Sequence, residues 1–201
     1  MIYNRQHTCV GQDHRRLLMI TVIGFYSAFE LEVRFLVRNS LTELPYGLPG
    51  QIFRSPLPLS PFFDPEQNLL DAYEDAGVQT VVMLTPEEEA RKLTGQDMQK
   101  LYQNMGIDVI YAPIPDFSIP AAGALQAPLK QALQAARAGQ TIVIHCHAGI
   151  GRTGLLAACL AKVVFDLDGL EALAWVRQYI PDAVETAEQL RLIQDFELIA
   201  D

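Results

Sequence analysis

The sequence predicts an α/β fold in which a central, mostly parallel sheet is flanked by helices. Short β-branched apolar runs alternate along the chain with longer segments of good helix formers. One of these runs, at 141–144, leads through a glycine-rich loop directly into the helical segment 155–162. A strand, a glycine-rich loop and a helix in this order can form an anion-binding site at the carboxyl end of a parallel strand.

Turn and capping residues divide the chain from Leu41 onward into four strands and seven helices. Gly77, Gly106 and Gly139 end segments, and Thr85-Pro86 is typical of a helix start. Strands are expected at 51–54, 78–84, 107–112 and 141–144, and helices over 64–77, from 85 onward, over 97–104, 122–138, 155–162 and 168–179, and from 183 towards 199. The acidic triplet 87–89 falls in the first turn of its helix, where carboxylates are favourable, so we interpret it as helix-end electrostatics.

Composition narrows the classes of function. The formal charge of −9 and the pI near 4.9 argue against nucleic acid and anionic membrane surfaces as partners. Half of the 201 residues are apolar, but no segment has the length of a membrane span. The three cysteines form no disulfide framework and fit a reducing compartment. We therefore expect a cytoplasmic protein, and a monomer.

Residues 1–40 are predicted to be an extension of uncertain order, and 41–201 the functional domain. Arg15 and Arg16 precede a short apolar run, as in a signal peptide, but charged residues interrupt the run and no small-residue cleavage site follows. We favour an extension that packs on the domain. A true translation start further along the chain remains an alternative. No residue of this segment carries recognisable chemistry.

The loop after the strand at 141–144 holds a thiol, Cys146, and a guanidinium, Arg152, with five residues between them. Its glycines allow several backbone N–H groups to point at one anion at the positive end of the helix dipole. In that setting Cys146 is expected as thiolate, and the planar fork of Arg152 matches two oxygens of a phosphate. The loop therefore predicts phosphoryl transfer through a cysteinyl-phosphate intermediate.

Other interpretations of this loop explain less. The spacing of Gly149, Gly151 and Gly154 matches a dinucleotide-binding motif, but no turn follows where that fold must end its helix, and Cys146 and Arg152 would have no role. A Walker A loop would need a Gly-Lys-Ser/Thr sequence. A zinc site would need more ligands than the adjacent residues 145–147, which cannot all face one ion. A purely structural turn would leave the coincidence of features unexplained, and we expect neither a metal nor a cofactor.

The motif His145-Cys146, five residues, Arg152-Thr153 resembles the signature of cysteine-dependent protein phosphatases, the protein-tyrosine and dual-specificity superfamily. The string is close to the tyrosine-specific form, with a histidine where serine is usual, and is similar to small cyclin-dependent-kinase-associated and Cdc14-like phosphatases. The resemblance implies a phosphatase-type loop between strand and helix. It implies that Cys146 is the nucleophile and that substrate phosphate is bound by the rest of the loop: His147, Ala148, Gly149, Ile150, Gly151 and Arg152.

Further residues take roles from the same resemblance. Asp116, on a proline-flanked loop, is similar to the family's general acid, although Ile114 stands where the tyrosine-specific branch has tryptophan. A structural turn role for Asp116 is the alternative. Thr153 is expected to donate to the cysteine sulfur, and His145 to order the loop. Glu185 and Gln189 lie in a segment that resembles a late family motif, in which Glu185 replaces a glutamine.

The resemblance covers the chain from residue 51 to the C-terminus and favours the small dual-specificity branch. We expect hydrolysis of phosphotyrosine in proteins or peptides, with phosphoserine and phosphothreonine as further candidates. Phosphatases of small phosphoesters, of lipids or of RNA 5′ phosphates are alternatives within the same chemistry. A phosphate-binding module without turnover is an alternative from another class, and the presence together of Cys146, Arg152, Thr153 and Asp116 argues against it.

Overall fold

The computed structural model describes residues 41–199, so the extension predicted at 1–40 lies outside the described residues. A five-stranded sheet forms the centre, with the strand order β1-β2-β5-β3-β4. β1 is antiparallel to β2, and all other pairs are parallel. The strands are β1 (Thr42–Glu43), β2 (Ile52–Ser55), β3 (Thr80–Met83), β4 (Asp108–Tyr111) and β5 (Ile142–His145). The predicted α/β fold with a mostly parallel sheet is confirmed.

Within the part of the chain that the structure describes, seven helices cover the sheet. They are α1 (Leu69–Asp75), α2 (Glu87–Thr94), α3 (Met98–Asn104), α4 (Gln126–Arg137), α5 (Gly151–Phe165), α6 (Gly169–Val176) and α7 (Ala187–Asp195). Alternate residues of β5 point to opposite faces: Ile142 and Ile144 pack with α4 to α7, and Val143 packs with α1 to α3. Within residues 41–199, no helix combines the length and apolar character needed to cross a membrane.

The position of β5 decides where the functional loops meet. β5 lies between β2 and β3, and His145 at its end is paired with Ser55 and with Met83. Because parallel strands end at one edge of the sheet, the segments that follow β2, β3, β4 and β5 converge there. The chemistry expected of the loop after β5 is therefore surrounded by residues from three other connections.

Several helices are shorter than predicted because side chains cap them later. The helix expected from 64 begins at Leu69, since the buried Asp64 carboxylate accepts from the backbone N–H groups of Leu59, Asn68 and Leu69. The last helix begins at Ala187, because the Thr186 hydroxyl accepts from the N–H of Gln189. The two-residue β1 was not predicted, as it is too short to produce a periodic pattern.

Candidate active site

We call residues 146–151 the phosphate loop. It connects β5 to α5, and its path requires glycine at Gly149, whose φ is +69°. A Cβ there would lie 2.3 Å from the carbonyl oxygen of Ser55. The first eleven residues of α5 are buried, which anchors the loop to the core. Strand, loop and helix N-terminus therefore have the arrangement that the sequence predicted.

Arg152 lies in the first turn of α5, and its side chain is only 2% exposed. Its two terminal nitrogens donate to both carboxylate oxygens of Glu89, at 2.9 and 2.8 Å. Nη1 also donates to the carbonyl of Ile114 at 3.1 Å, and Nη2 lies 3.0 Å from Oδ1 of Asp116. Burial lowers the pKa of Arg152, but Glu89, Cys146 and Asp116 outweigh it and raise the pKa above its usual value. Arg152 is thus a permanent, oriented cation.

Glu89 was not identified from the sequence as a site residue. The triplet 87–89 lies in the first turn of α2, as the helix-end interpretation predicts, and Glu89 in addition forms a bidentate ion pair with Arg152. The pair joins residues 63 positions apart in the chain. α2 follows β3, and β3 neighbours β5 in the sheet. The order of the strands therefore brings Glu89 and Arg152 together, and no local pattern in the sequence indicates that order.

Cys146 immediately follows β5 and is 2% exposed. It lies close enough to Arg152, the residue predicted to share its phosphate, to contribute to the raised pKa of that guanidinium. Thr153, the predicted donor to its sulfur, is buried in the first turn of α5, and the hydroxyl makes no hydrogen bond within residues 41–199. Cys146 at the start of the phosphate loop, and Arg152 and Thr153 directly after it, are therefore all buried.

We call residues 113–120 the acid loop. Asp116 lies at its centre, with a side chain that is 48% exposed, and it is brought to Arg152 as described above. Gln189 of α7 supports the loop, because its buried amide donates to the carbonyl of Ser118 at 3.1 Å. The other end of that amide accepts from the N–H of Glu185 at 2.9 Å. Gln189 therefore connects the acid loop to the segment before α7.

Glu185 faces the phosphate loop. A Cβ placed on Gly151 would collide with the carboxylate of Glu185, so this acid lies directly against the start of α5. The N-cap of α7 is the next residue, Thr186, whose side chain accepts from the backbone N–H of Gln189. Of the residues predicted near the site, Glu185 and Gln189 are therefore both at its border.

His145 is fully buried. Its Nε2 lies 2.9 Å from the hydroxyl of Tyr102, and its Nδ1 is 3.4 Å from the carbonyl oxygen of Cys146. Burial lowers the pKa of His145 to about 4, so the ring is neutral at pH 7. A neutral ring that donates from Nδ1 accepts the Tyr102 proton at Nε2. This arrangement connects α3 to the phosphate loop and suits an ordering role.

His147 has a different environment. It is half-buried, its ring packs edge-on against Phe63 with 4.9 Å between centroids, and its carbonyl accepts from the N–H of Leu57. Its Nε2 is buried and makes no hydrogen bond to any residue that the structure describes. Burial lowers the pKa of His147 below its usual value. The histidine that replaces the family's serine thus packs against the segment after β2.

Comparisons with known proteins agree with the fold. Cyclin-dependent kinase inhibitor 3 of Rattus norvegicus is 28% identical over 147 residues, which cover 70% of this chain and 68% of that protein. A solved kinase-associated phosphatase, with serine in place of its catalytic-site cysteine, has a TM-score of 0.71 at 19% identity, covering 78% of this chain and 92% of that one. Tk-PTP in its active form has a TM-score of 0.64 at 27% identity, covering 77% and 95%.

A family model described as "Tc-R-P: Polymorphic toxin system, DSP-PTPase phosphatase" matches residues 63–164. The match includes Glu89, Asp116 and the whole phosphate loop, and it spans half of the chain. The resemblance inferred from the signature is therefore confirmed. The chain belongs to the Tc-R-P family of DSP-PTPase phosphatases.

Proposed function

We propose that this phosphatase hydrolyses phosphotyrosine in proteins or peptides through a cysteinyl-phosphate intermediate, with phosphoserine and phosphothreonine as further substrates. One observation supports it above all: the signature residue Arg152 is buried in the first turn of α5, and its guanidinium contacts the carboxylate of Asp116. A guanidinium, a thiol and a carboxylic acid at one helix N-terminus supply the three groups that phosphoryl transfer to cysteine requires.

In the first step, the thiolate of Cys146 attacks phosphorus, and the bond between phosphorus and the ester oxygen breaks. Asp116, in its protonated form, gives its proton to that oxygen, because a phenolate or alkoxide is a poor leaving group. The backbone N–H groups of the phosphate loop hold the remaining phosphate oxygens, together with the guanidinium of Arg152 once the phosphate takes the place of Asp116 at Nη2. Asp116 already contacts Nη2 of Arg152, so proton donor and phosphate anchor are neighbours.

In the second step, a water molecule attacks the phosphocysteine, and the bond between phosphorus and sulfur breaks. The ionised Asp116 takes the proton of the water, and the sulfur leaves as thiolate. The Thr153 hydroxyl, which has no hydrogen-bond partner within residues 41–199, is available to donate to that sulfur. Inorganic phosphate is released, and the enzyme returns to its starting state.

The surroundings of the site favour an aryl phosphate over polyanionic esters. Arg152 is the single cation of the signature; the carboxylates of Glu89 and Asp116 contact it, and that of Glu185 lies against the neighbouring Gly151. Within the signature, a substrate with several phosphates would meet that negative charge with Arg152 as the one cation to offset it. Phe117, next to Asp116, is 62% exposed and offers an aromatic surface at the entrance. These features support phosphotyrosine over phosphoinositides and RNA 5′ phosphates.

A substrate panel tests the proposal. Purified protein is assayed on p-nitrophenyl phosphate, phosphotyrosine and phosphoserine peptides, a phosphoinositide and an RNA 5′ phosphate, with and without EDTA. We expect the largest kcat/KM on phosphotyrosine peptides, no effect of EDTA, and a covalent phosphoenzyme in acid-quenched samples that Cys146→Ser lacks. A larger kcat/KM on the lipid, the RNA or the small ester would show that the substrate is not a protein. Binding of these compounds without hydrolysis would show that the protein is a phosphate-binding module.

A thiolate nucleophile is inactivated by oxidation, so we also propose that the protein acts in a reducing compartment, the cytoplasm. Activity should then depend on a thiol reductant in the assay. Full activity after prolonged air oxidation would remove this argument for the location.

A further inference from the structure

A cavity of about 710 Å³ lies beside the acid loop. Its walls are residues 119–123, the start of α4, one side of α7 and the C-terminal segment 196–199. Leu125, Leu192 and Phe196 give it an apolar interior. Its volume lies within the range of about 300–1,000 Å³ that is usual for ligand pockets. The proposed phosphatase reaction uses none of these residues.

The cavity has a built frame. The side-chain amide of Gln126, at the start of α4, donates to the carbonyl of Glu197 at 2.8 Å and accepts from the N–H of Ile199 at 3.0 Å. These two bonds hold the C-terminal segment against α4. Leu125 and Phe196 are almost fully buried, whereas Ile199 on the rim is 66% exposed. The base of the cavity is thus formed by buried apolar side chains, and an exposed apolar side chain lies on its rim.

Charged side chains on the wall leave it acidic. Glu188, Asp195 and Glu197 contribute three carboxylates, and Arg191 contributes one guanidinium. Within residues 41–199, none of these four side chains is in an ion pair or a hydrogen bond. The carboxylates are therefore available to a cation from outside, and their excess over Arg191 disfavours an anionic occupant.

The cavity is connected to the active site through two elements. Ile119 and Pro120 in its wall directly follow Ser118, whose carbonyl accepts from Gln189. Gln189 itself lies on α7 between Glu188 and Arg191, which face the cavity. A segment bound in the cavity would therefore touch both the end of the acid loop and the helix that supports it.

We propose that this cavity is a docking site for a basic, apolar segment of the protein substrate. A leucine- or phenylalanine-sized side chain fills the apolar interior, and lysine or arginine residues on either side pair with Glu188, Asp195 and Glu197. The inference rests on the proposed function, since it takes the substrate to be a protein. It adds a second point of recognition, outside the phosphate site, that gives specificity to a reaction centre with few side chains of its own.

Binding of unphosphorylated peptides tests the site without turnover. The probes are a peptide of alternating lysine and leucine and a peptide of the same length with glutamate for lysine, titrated by calorimetry into the full chain. The variant Glu188→Gln/Asp195→Asn/Glu197→Gln removes the three charges at nearly constant volume. The matched control, Asp71→Asn/Glu74→Gln/Asp75→Asn, removes three charges from α1.

We expect the lysine peptide to bind, with a Kd that rises about tenfold in the cavity variant and stays unchanged in the control. Each exposed ion pair contributes little to the free energy of binding, but the contributions of three pairs add up. A further variant, Ile199→Ser, removes the exposed apolar side chain on the rim of the cavity and should also weaken binding. An equal loss in the α1 control, no loss in the cavity variant, or equal binding of the glutamate peptide would overturn the proposal.

Kinetics separate this proposal from the proposed function. A phosphotyrosine peptide joined to the lysine–leucine segment should lose kcat/KM in the cavity variant through a higher KM, while p-nitrophenyl phosphate keeps its kcat/KM. If no phosphate ester is hydrolysed by any form, the proposed function fails, and the calorimetric comparison still decides the docking site. If the peptide and p-nitrophenyl phosphate respond alike, the docking site fails and the phosphatase activity stands.

Discussion

The phosphate loop and the acid loop meet at Arg152, but they are held in different ways. The phosphate loop lies between a buried strand and a buried helix, and Gly149 packs against the backbone of Ser55. The acid loop is exposed at Asp116 and Phe117 and is tied down by polar contacts: Ile114 to Arg152 and to Leu84, and Ser118 to Gln189.

This difference separates two tasks in the proposed mechanism. The nucleophile and its anion site are fixed by the core, so their geometry does not depend on substrate. The proton donor is presented by a surface segment whose position depends on a few hydrogen bonds, as is usual for loops that close over substrates. Substitutions in the two loops should therefore fail in different ways, and each prediction below tests one side of the comparison.

The largest effect is expected for Cys146→Ser in the phosphate loop. A serine hydroxyl stays protonated and is a far weaker nucleophile, so turnover should fall on the order of 10⁶-fold, as for removal of other enzymic nucleophiles. The change is nearly isosteric, so circular dichroism and Tm should stay close to wild type. Substantial activity in the serine variant would exclude the cysteinyl-phosphate intermediate.

Asp116→Ala in the acid loop should lower kcat on phosphotyrosine by about 10²–10⁴, the usual contribution of a general acid. The loss should shrink for aryl phosphates whose leaving groups need no proton, and this is measured as kcat against leaving-group pKa. Asp108→Ala, at an exposed position on β4, is the matched control and should have no effect. An equal loss on all leaving groups would make Asp116 a structural residue.

His145 and His147 extend the comparison to stability. The pKa of His145 is lowered to about 4 in the folded protein from an ordinary 6.5, so the unfolded chain takes up a proton as pH falls through this window. The contribution of His145 to the free energy of unfolding is complete above pH 6.5 and is lost towards pH 4, by about 3 kcal/mol.

Urea unfolding of wild type and His145→Asn between pH 7 and pH 4 measures this loss. The variant should lose less stability with falling pH than the wild type, whatever its stability at pH 7. His147→Asn serves as the comparison. Because His147 is only half-buried, the dependence of the free energy of unfolding on pH should stay closer to wild type in this variant. Parallel pH profiles for wild type and His145→Asn would show that the buried ring is not responsible.

The part of the site that could be predicted is the part that is continuous in sequence. Cys146, Arg152 and Thr153 lie within one strand–loop–helix unit, so their spacing alone was enough to predict an anion site. Asp116 needed the resemblance to a family, because a single aspartate in a proline-rich loop has several explanations. Glu89 could not be predicted, because its pairing with Arg152 depends on β3 lying beside β5. Helix starts were wrong where a side chain such as Asp64 caps the backbone of a loop.

Glu89 holds the fork of Arg152, so Glu89→Gln tests how far the fixed side of the site depends on a non-local contact. The amide keeps one acceptor and loses the charge and the second N–H···O bond. We expect kcat/KM on p-nitrophenyl phosphate to fall about tenfold, equivalent to about 1.4 kcal/mol. Glu88→Gln, the exposed neighbour on α2, should leave it unchanged. An unchanged or higher value for Glu89→Gln would mean that this carboxylate only offsets the charge of Arg152.

The smallest effect is expected at Glu185, where the two loops share a border: its carboxylate lies against Gly151 and its N–H donates to Gln189, which holds the acid loop. The resemblance of this segment to the family motif implies that a glutamine at this position would help to position the water that attacks phosphocysteine. A carboxylate keeps the acceptor but lacks the amide donor, and its charge opposes a phosphate beside it. Breakdown of the intermediate should therefore be slow relative to its formation.

Glu185→Gln should raise kcat by about two- to fivefold, equivalent to about 0.4–1 kcal/mol for an exposed charge. It should also reduce the initial burst of p-nitrophenol in stopped-flow traces. Glu188→Gln, whose side chain lines the cavity described above, is the control on this small substrate. If burst and steady-state rates of Glu185→Gln equal those of the wild type, Glu185 has no part in breakdown of the intermediate, and its contact with Gly151 is structural.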